Sequence, residues 1–245
     1  MKKSVLLILF SFSFLLGYSQ LDPQYSHMFN QFALNPAYAG SKDALCVTML
    51  LRDQWVGVDG APKTSTLAIH GPLRKKKIAL GFSMISDELG PKKSVGLLGS
   101  FAYKIKIYNG QLAMGLRYGI YNYSFNWGMI NYQDKNDKYN LGVQTQQIIP
   151  SADAGLYYNT KDYYIGFSST HILSSRLNFI NNQNNDNIQL TPHFFATAGA
   201  GFRISENLIL NPSFVVQVPG FEDRTICRPF FCIRKYPYLH NHQAY

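Results

Sequence analysis

Bulky apolar residues alternate with small or polar residues over long stretches of this chain. In residues 112–120 every second position is bulky and apolar, and Ala, Gly and Arg stand between these positions. The same period of two appears in residues 78–84, 95–107 and 194–204. Successive side chains of a β-strand point to opposite faces, so this period predicts strands. No stretch after residue 20 has a sustained helical period, and the pattern therefore predicts an all-β protein.

Nine strands are predicted, and the connections between them differ in length. The strands cover residues 44–51, 64–70, 78–85, 95–107, 111–123, 152–158, 162–170, 194–204 and 208–217. Short connections (71–77, 108–110, 159–161 and 205–207) alternate with long ones (52–63, 86–94, 124–151 and 171–193). Tight turns at one end and long loops at the other are typical of up-and-down membrane barrels. A Greek-key sandwich has no reason to place every long connection at one end.

Aromatic residues and strand length also favour a membrane barrel. The chain has 17 Tyr and 17 Phe, and many tyrosines stand at strand ends, as expected at a membrane–water boundary. Several strands reach the roughly 9–11 residues that a tilted membrane strand needs. We therefore expect an antiparallel up-and-down outer-membrane β-barrel, whose bulky face meets lipid and whose small, polar face meets the lumen. A soluble exported β-protein is the alternative fold.

The first 19 residues have the composition of a secretory signal peptide. Two lysines precede an apolar run over residues 4–16, and Gly17 and Ser19 stand at the −3 and −1 positions of a cleavage site before Gln20. The run is shorter than the roughly 20 apolar residues of a spanning helix. Residues 1–19 are thus predicted to direct export through the Sec pathway to the outer membrane. Residues 20–43 are expected to form a periplasmic segment, and residues 44–217 the barrel.

The chain is basic, with a formal net charge of +9 at pH 7. An exported protein rarely meets nucleic acid, so the charge indicates peptidoglycan, anionic lipid or acidic proteins as partners. Four consecutive cations, Arg74, Lys75, Lys76 and Lys77, fall in a predicted short turn that faces the periplasm. They either contact such a partner or only increase solubility.

The sequence contains no motif that predicts catalysis, a metal site or a cofactor. None of the six histidines stands in a metal-ligand pattern. His171 with the nearby Ser168, Ser169, Ser174 and Ser175 is the one neighbourhood that could serve a barrel-embedded hydrolase, and such a histidine is more often structural. Three cysteines are an odd number for an oxidising compartment. We expect a non-enzymatic protein without cofactors.

Two long motifs resemble a known family. The first contains Asp22-Pro23-Gln24 and, further on, Asn35-Pro36-Ala37-Tyr38-Ala39-Gly40; the second spans residues 52–64 around Trp55 and continues to residue 73. Together they resemble the PorP/SprF family of type IX secretion system membrane proteins from Bacteroidetes. The resemblance extends over roughly residues 20–217.

The resemblance implies an outer-membrane component of the type IX secretion and gliding motility apparatus. Such a component supports the export or anchoring of surface adhesins through contacts with periplasmic machinery. The expected partners are other secretion components, secreted adhesins and outer-membrane lipid, with a peptidoglycan-associated periplasmic protein as a further candidate. The alternative function is a passive diffusion porin, in which Lys104, Lys106, Arg117 and Arg203 line a cationic lumen.

Residues that carry the family motifs or the cationic cluster are the candidates for partner contact. They are Asp22, Pro23, Gln24, Asn35, Pro36, Tyr38, Gly40, Trp55, Arg74, Lys75, Lys76 and Lys77. Pro36 disfavours helical angles at Asn35, and Gly40 permits a positive φ, so an ordered turn is predicted before the first strand. These motifs could instead serve only to fix local shape.

Residues 218–245 do not continue the alternation, and prolines interrupt them. Nine strands are an odd number, whereas bacterial single-chain barrels have even numbers. Unpaired strand edges in lipid cost several kcal/mol per backbone group. The sequence therefore predicts an incomplete barrel, and our hypothesis is that residues 218–245 come from a frameshifted or truncated reading frame.

Overall fold

A computed structural model describes residues 30–74, 77–130, 144–177, 188–205, 208–219 and 226–230. Apart from short helical turns, these residues form antiparallel strands. A four-residue helix, α1 (Gln31–Leu34), and a 3₁₀ turn (Pro36–Tyr38) precede the first strand, and a second 3₁₀ turn covers Trp127–Met129. In this described part of the chain no helix is long and apolar enough to cross a membrane.

Fourteen strands are present in these ranges. They are β1 (Cys46–Asp53), β2 (Lys63–Pro72), β3 (Ile78–Leu89), β4 (Lys92–Ile107), β5 (Gly110–Asn126), β6 (Gln144–Asn159), β7 (Tyr163–Thr170), β8 (Arg176–Leu177), β9 (Ile188–Gln189), β10 (His193–Ala200), β11 (Phe202–Ser205), β12 (Leu208–Leu210), β13 (Ser213–Pro219) and β14 (Ile226–Phe230).

Ten of these strands form one sheet in the order β1-β2-β3-β4-β5-β6-β7-β10-β13-β14. Each strand pairs antiparallel with its neighbour, and the sheet curls into a half-barrel. The short pairs β8–β9 and β11–β12 form two small sheets in the connections. Within the described ranges β1 pairs only with β2 and β14 only with β13, so the two edges do not meet. The predicted up-and-down fold of an incomplete barrel is confirmed.

The nine predicted strands correspond to β1–β7, β10 and β13, and several are longer than expected. The predicted strands 194–204 and 208–217 are each divided, because residues 202–205 and 208–210 pair with each other as β11 and β12 and not with the large sheet. The predicted long connection over residues 86–94 is wrong, because β3 and β4 continue until only Gly90 and Pro91 separate them. The charges in this region do not end the pairing, since Glu88, Lys92 and Lys93 lie exposed on the strands and the half-buried Asp87 accepts a hydrogen bond from the Thr64 hydroxyl. Glu88 and Lys93 are cross-strand partners, and their side chains approach to 4.0 Å. β8, β9 and β14 have no counterpart among the predicted strands.

The two faces of the sheet differ in the way that the alternation predicts. The bulky apolar face is exposed, with side chains such as Met49, Leu80, Phe82, Phe101, Leu116 and Phe167. The opposite face is buried although its residues are small or polar, among them Ala68, Ala79, Ser83, Ser100, Ala102, Ala113 and Ser151. A soluble sheet buries its apolar face, so this inverse arrangement is the one expected of a barrel wall in lipid. We call the buried face the inner wall.

The chain before β1 covers the inner wall. Residues 30–41, which we call the inner segment, contain α1 and the first 3₁₀ turn, and the turn contacts β4, β5 and β6. Phe32 and Ala39 pack with inner-wall alanines in one cluster, and Ala37 packs with Ala113 and Tyr157 in a second. The burial of the inner wall is therefore produced in part by the chain's own N-terminal region.

Candidate interaction site on the inner wall

The local structure of the inner segment follows from two asparagines and a proline. The Asn30 side chain accepts a hydrogen bond from the Ala33 backbone at 3.2 Å and caps α1. The Asn35 side chain accepts one from the Ala37 backbone at 2.9 Å, and Pro36 occupies the first position of the 3₁₀ turn. Gly40 ends the segment with φ +63°. The ordered turn predicted at Asn35–Gly40 is confirmed.

Three inner-wall glycines allow the segment to approach the strands closely. A Cβ atom at Gly115 would overlap the Ala37 backbone, and one at Gly155 would overlap the Asn35 side chain. A Cβ atom at Gly81 would overlap the Phe32 ring. Any larger residue at these positions requires the segment to move away, so the glycines shape the wall to fit it.

Arg117 on β5 holds α1 through the helix's own backbone. Its Nη1 donates to the Phe32 carbonyl at 3.1 Å, and its Nη2 donates to the Ala33 carbonyl at 2.8 Å. Carbonyl groups at a helix end lack intrahelical partners, and a cation there is favourable. The Arg117 Nε donates to Asp153 Oδ2 on β6 at 2.7 Å, and both side chains are almost fully buried. The guanidinium is thus shared between the inner segment and a carboxylate of the wall.

Further polar contacts fix the segment to β6 and β7. The Asn35 side-chain amide donates to the Leu156 carbonyl at 2.9 Å and to the Phe167 carbonyl at 3.3 Å. The Ser168 hydroxyl donates to the Leu34 carbonyl at 2.8 Å. The Ser168 bond engages the backbone of the segment, and the Asn35 bonds engage one of its side chains, so the wall contacts both.

The C-terminal part of the segment is held by β2 and β4. The Gly40 N–H donates to His70 Nδ1 at 3.2 Å, and the Lys104 ammonium donates to the Gly40 carbonyl. The ring of His70 also contacts Phe32 and Tyr38, with centroids 4.9 Å and 5.6 Å away. Lys104 and Arg117, which sequence analysis placed on the lumen side, do lie there, and both bind carbonyl groups of the inner segment.

Asp153 also contacts the turn that follows β7. Its Oδ1 accepts a hydrogen bond from the His171 backbone N–H at 2.9 Å. The His171 ring shares a hydrogen bond with Ser151 at 3.1 Å between Oγ and Nδ1, and it lies 5.4 Å from the Tyr121 ring. Burial lowers the pKa of His171 below its ordinary value, so the ring is neutral at neutral pH.

This histidine is not placed as a general base in a triad. The hydroxyl partner of His171 is the buried Ser151 and none of the four serines considered from the sequence. Asp153 binds the backbone of His171 and not its ring, so it cannot orient the imidazole as a triad carboxylate does. In the described part of the chain, no group of three or more His, Cys, Asp or Glu side chains could hold a metal ion.

The other candidate residues that the structure describes lie apart from the inner wall. Trp55 is 69% exposed in the loop between β1 and β2, where its φ is +48°. Arg74 and Lys77 are exposed in the turn between β2 and β3, at the opposite end of the strands. Five candidates lie outside the described residues: Asp22, Pro23, Gln24, Lys75 and Lys76.

The sequence pointed to four residues of the inner segment and to Lys104 and Arg117 as lumen-facing cations, but not to the contacts between them. Asp153 and Ser151 were not singled out, Ser168 was considered only as a serine near His171, and the role of Gly115 and Gly155 was not recognised. A signal was available, since Asp153 is a carboxylate in mid-strand at an inward position. A mid-strand carboxylate in a barrel needs a charged partner, and Arg117 on the neighbouring strand provides it.

The antiparallel sheet is open and has an exposed apolar face and a buried polar face. The protein is therefore of the β-barrel class of membrane proteins. Residues 17–227 match the family model of the type IX secretion system membrane protein PorP/SprF. The chain therefore belongs to this family, which confirms the resemblance seen in the motifs between residues 22 and 73. A search among curated proteins found no match.

Proposed function

We propose that the chain is a non-enzymatic outer-membrane component of the type IX secretion and gliding apparatus, which supports the export or anchoring of surface adhesins. The observation that carries the proposal is the family match over residues 17–227. The exposed apolar face of the sheet supports the outer membrane as the location, because a barrel wall of this polarity is stable only against lipid. Export through the Sec pathway follows from the composition of residues 1–19.

The distribution of charge supports a periplasmic partner. At the end of the strands with the short turns, the exposed charges in the described ranges are mostly cations: Lys42, Arg74, Lys77, Lys106 and Lys161, with Asp43 and Asp162. The exposed charges at the other end are mixed: Asp53, Asp59, Glu88, Lys63, Lys92 and Lys93. Short turns of bacterial barrels face the periplasm. A cationic periplasmic end suits an acidic surface of a secretion component, whose approach it would accelerate.

The diffusion porin is less well supported. Lys104 and Arg117 would line a cationic lumen in a porin, but here they bind the inner segment. The segment also occupies the space in front of β4, β5 and β6. The observation favours a wall that holds a polypeptide over a wall that lines an open channel.

Deletion of the gene in the native host tests the proposal. Surface adhesin is measured by antibody labelling of intact cells, and total adhesin by blotting of whole cells. We expect surface adhesin to fall strongly while an unrelated outer-membrane barrel stays at its normal amount, and we expect the wild-type gene to restore it. Unchanged surface adhesin in the deletion strain would contradict the proposal.

A further inference from the structure

Asp153 connects two parts of the protein that are distant in sequence. One carboxylate oxygen accepts from Arg117, which holds α1, and the other accepts from the backbone of His171. The carboxylate is 4% exposed, so water does not compete strongly for either bond. A displacement of either donor leaves a buried carboxylate incompletely bonded, which is costly.

The turn after β7 is held in a strained conformation. His171 and Ser174 have φ of +55° and +45°, although neither is glycine. Such angles raise the energy of the backbone and persist only where surrounding contacts hold them. Outside the turn, His171 contacts the Asp153 carboxylate, the Ser151 hydroxyl and the Tyr121 ring. The backbone of the turn adds hydrogen bonds from Ser174 N–H to the His171 carbonyl and from Ile172 N–H to the Ala152 carbonyl. A loss of these contacts therefore favours a rearrangement of residues 171–174.

The inner segment is held mainly by hydrogen bonds. Its own Asn35 side chain bonds the strands, and in the described ranges six strand side chains bond the segment: His70, Lys104, Arg117, Tyr157, Tyr164 and Ser168. Each such bond replaces a bond to water in the unfolded chain, so its net free energy is modest. Phe32 and Leu34 are the large buried apolar side chains of the segment, whereas Pro36, Ala37 and Ala39 are small.

We propose that Asp153 couples the position of the inner segment to the conformation of the turn at residues 171–174. When the turn moves, the Asp153 carboxylate loses the donor that holds its Oδ1, so the carboxylate can reorient, Arg117 shifts with it, and the hold of Arg117 on the inner segment loosens. By thermodynamic reciprocity, loosening of the segment makes the turn more mobile. The turn lies at the end of the strands that carries the long loops, which faces the cell surface in barrels of this type. A contact made by the turn at the cell surface can thus change the position of the inner segment on the inner wall.

The test uses the full-length protein in isolated outer membranes, with Cys46, Cys227 and Cys232 changed to serine. A cysteine introduced by Ala33→Cys reports on the inner segment through its reaction rate with a water-soluble maleimide. Ser151→Ala removes the hydrogen bond to the His171 ring and leaves the hydrogen bonds of the inner segment in place. We expect the labelling rate at position 33 to rise about five- to tenfold, as the loss of one buried hydrogen bond predicts.

Ser175→Ala is the matched control, because residue 175 follows the turn and its hydrogen bond to the Pro150 carbonyl involves neither Asp153 nor His171. In this variant, position 33 should be labelled at the same rate as in the parent protein, which carries Ala33→Cys and the three cysteine-to-serine changes alone. If Ser151→Ala leaves the rate unchanged, or if Ser175→Ala raises it equally, the coupling is refuted. Circular dichroism verifies the fold, and His171→Ala provides the same test if Ser151→Ala does not fold.

A second experiment measures the reverse effect, the mobility of the turn when the inner segment is loosened. A nitroxide attached after Leu173→Cys reports its mobility by electron paramagnetic resonance, at a side chain that is 48% exposed. Ser168→Ala weakens the inner segment directly, through the Leu34 carbonyl, and should increase the mobility at position 173. A spectrum identical to that of the parent, together with faster labelling at position 33, would show that the segment moves independently of the turn.

Discussion

Arg117 and Asp153 face each other directly across the β5–β6 pair, with 2.7 Å between Nε and Oδ2. Their side chains are 2% and 4% exposed, and together they reach α1 on one side and His171 on the other. A buried charge without its partner destabilises a protein strongly, whereas removal of both charges often does not. The pair is therefore the point at which a single substitution should have the largest effect on the inner wall.

Asp153→Leu should lower the free energy of unfolding by about 3–5 kcal/mol, because the buried Arg117 loses its counter-charge. The double variant Arg117→Met/Asp153→Leu should lose less than the single variant. Both values come from denaturant unfolding in phospholipid vesicles. A single variant that is at least as stable as the double variant would show that the ion pair is not the relevant interaction.

Gly115→Ala should displace the inner segment, because the added methyl group overlaps the Ala37 backbone. The maleimide labelling rate at position 33 should then rise by about tenfold or more, the change that about 1.4 kcal/mol of overpacking produces. Gly99→Ala is the control, since its Cβ atom would have Tyr118 O, at 3.9 Å, as its nearest neighbour. Equal labelling rates for the two variants would show that Gly115 does not determine how closely the inner segment packs on the wall.

Leu116→Arg should destabilise the protein in lipid by about 2–4 kcal/mol, because Leu116 lies on the exposed apolar face in the middle of β5. Tyr108→Arg changes a fully exposed residue in a turn and should cost little. Both stabilities are measured by unfolding from vesicles. If the protein tolerates Arg at position 116 as well as at position 108, the exposed face does not meet lipid.

Charge reversal at the short turn between β2 and β3 should weaken association with acidic periplasmic partners. Arg74→Glu combined with Lys77→Glu is compared with Lys92→Glu combined with Lys93→Glu, an equal change of charge at the opposite end. Copurification of type IX secretion components from outer-membrane extracts should decrease for the first pair and decrease further at high salt. Equal recovery with both pairs would place the contact elsewhere.

The strands could be predicted from the sequence because successive side chains point in turn to the lipid and to the interior of the barrel wall, and this sets the period of two. Strand ends were harder to predict. Beyond the apolar band both faces are polar, so the alternation stops although the backbone hydrogen bonds continue, as they do from Ser86 to Leu89. Residues 226–230 pair with β13 without any clear alternation, since at the sheet's edge the pairing is set by the neighbouring strand.

The position of the inner segment could not be predicted, because its contacts join residues far apart in sequence. Arg117 and Phe32 are 85 positions apart, and Ser168 and Leu34 are 134 positions apart. α1 has only four residues, too few for a helical period to appear. The sequence did indicate that Asn35 and Gly40 form an ordered turn, since proline and glycine act locally.

The outer face meets lipid and the inner wall does not, and a label scan through residues 97–103 of β4 tests this claim most directly. Each position receives a nitroxide in the full-length protein in outer membranes, and collision with oxygen, which concentrates in lipid, is measured. Accessibility should alternate, high at Leu97, Phe101 and Tyr103 and low at Leu98, Ser100 and Ala102. A scan without this period, or with the opposite phase, would contradict the account.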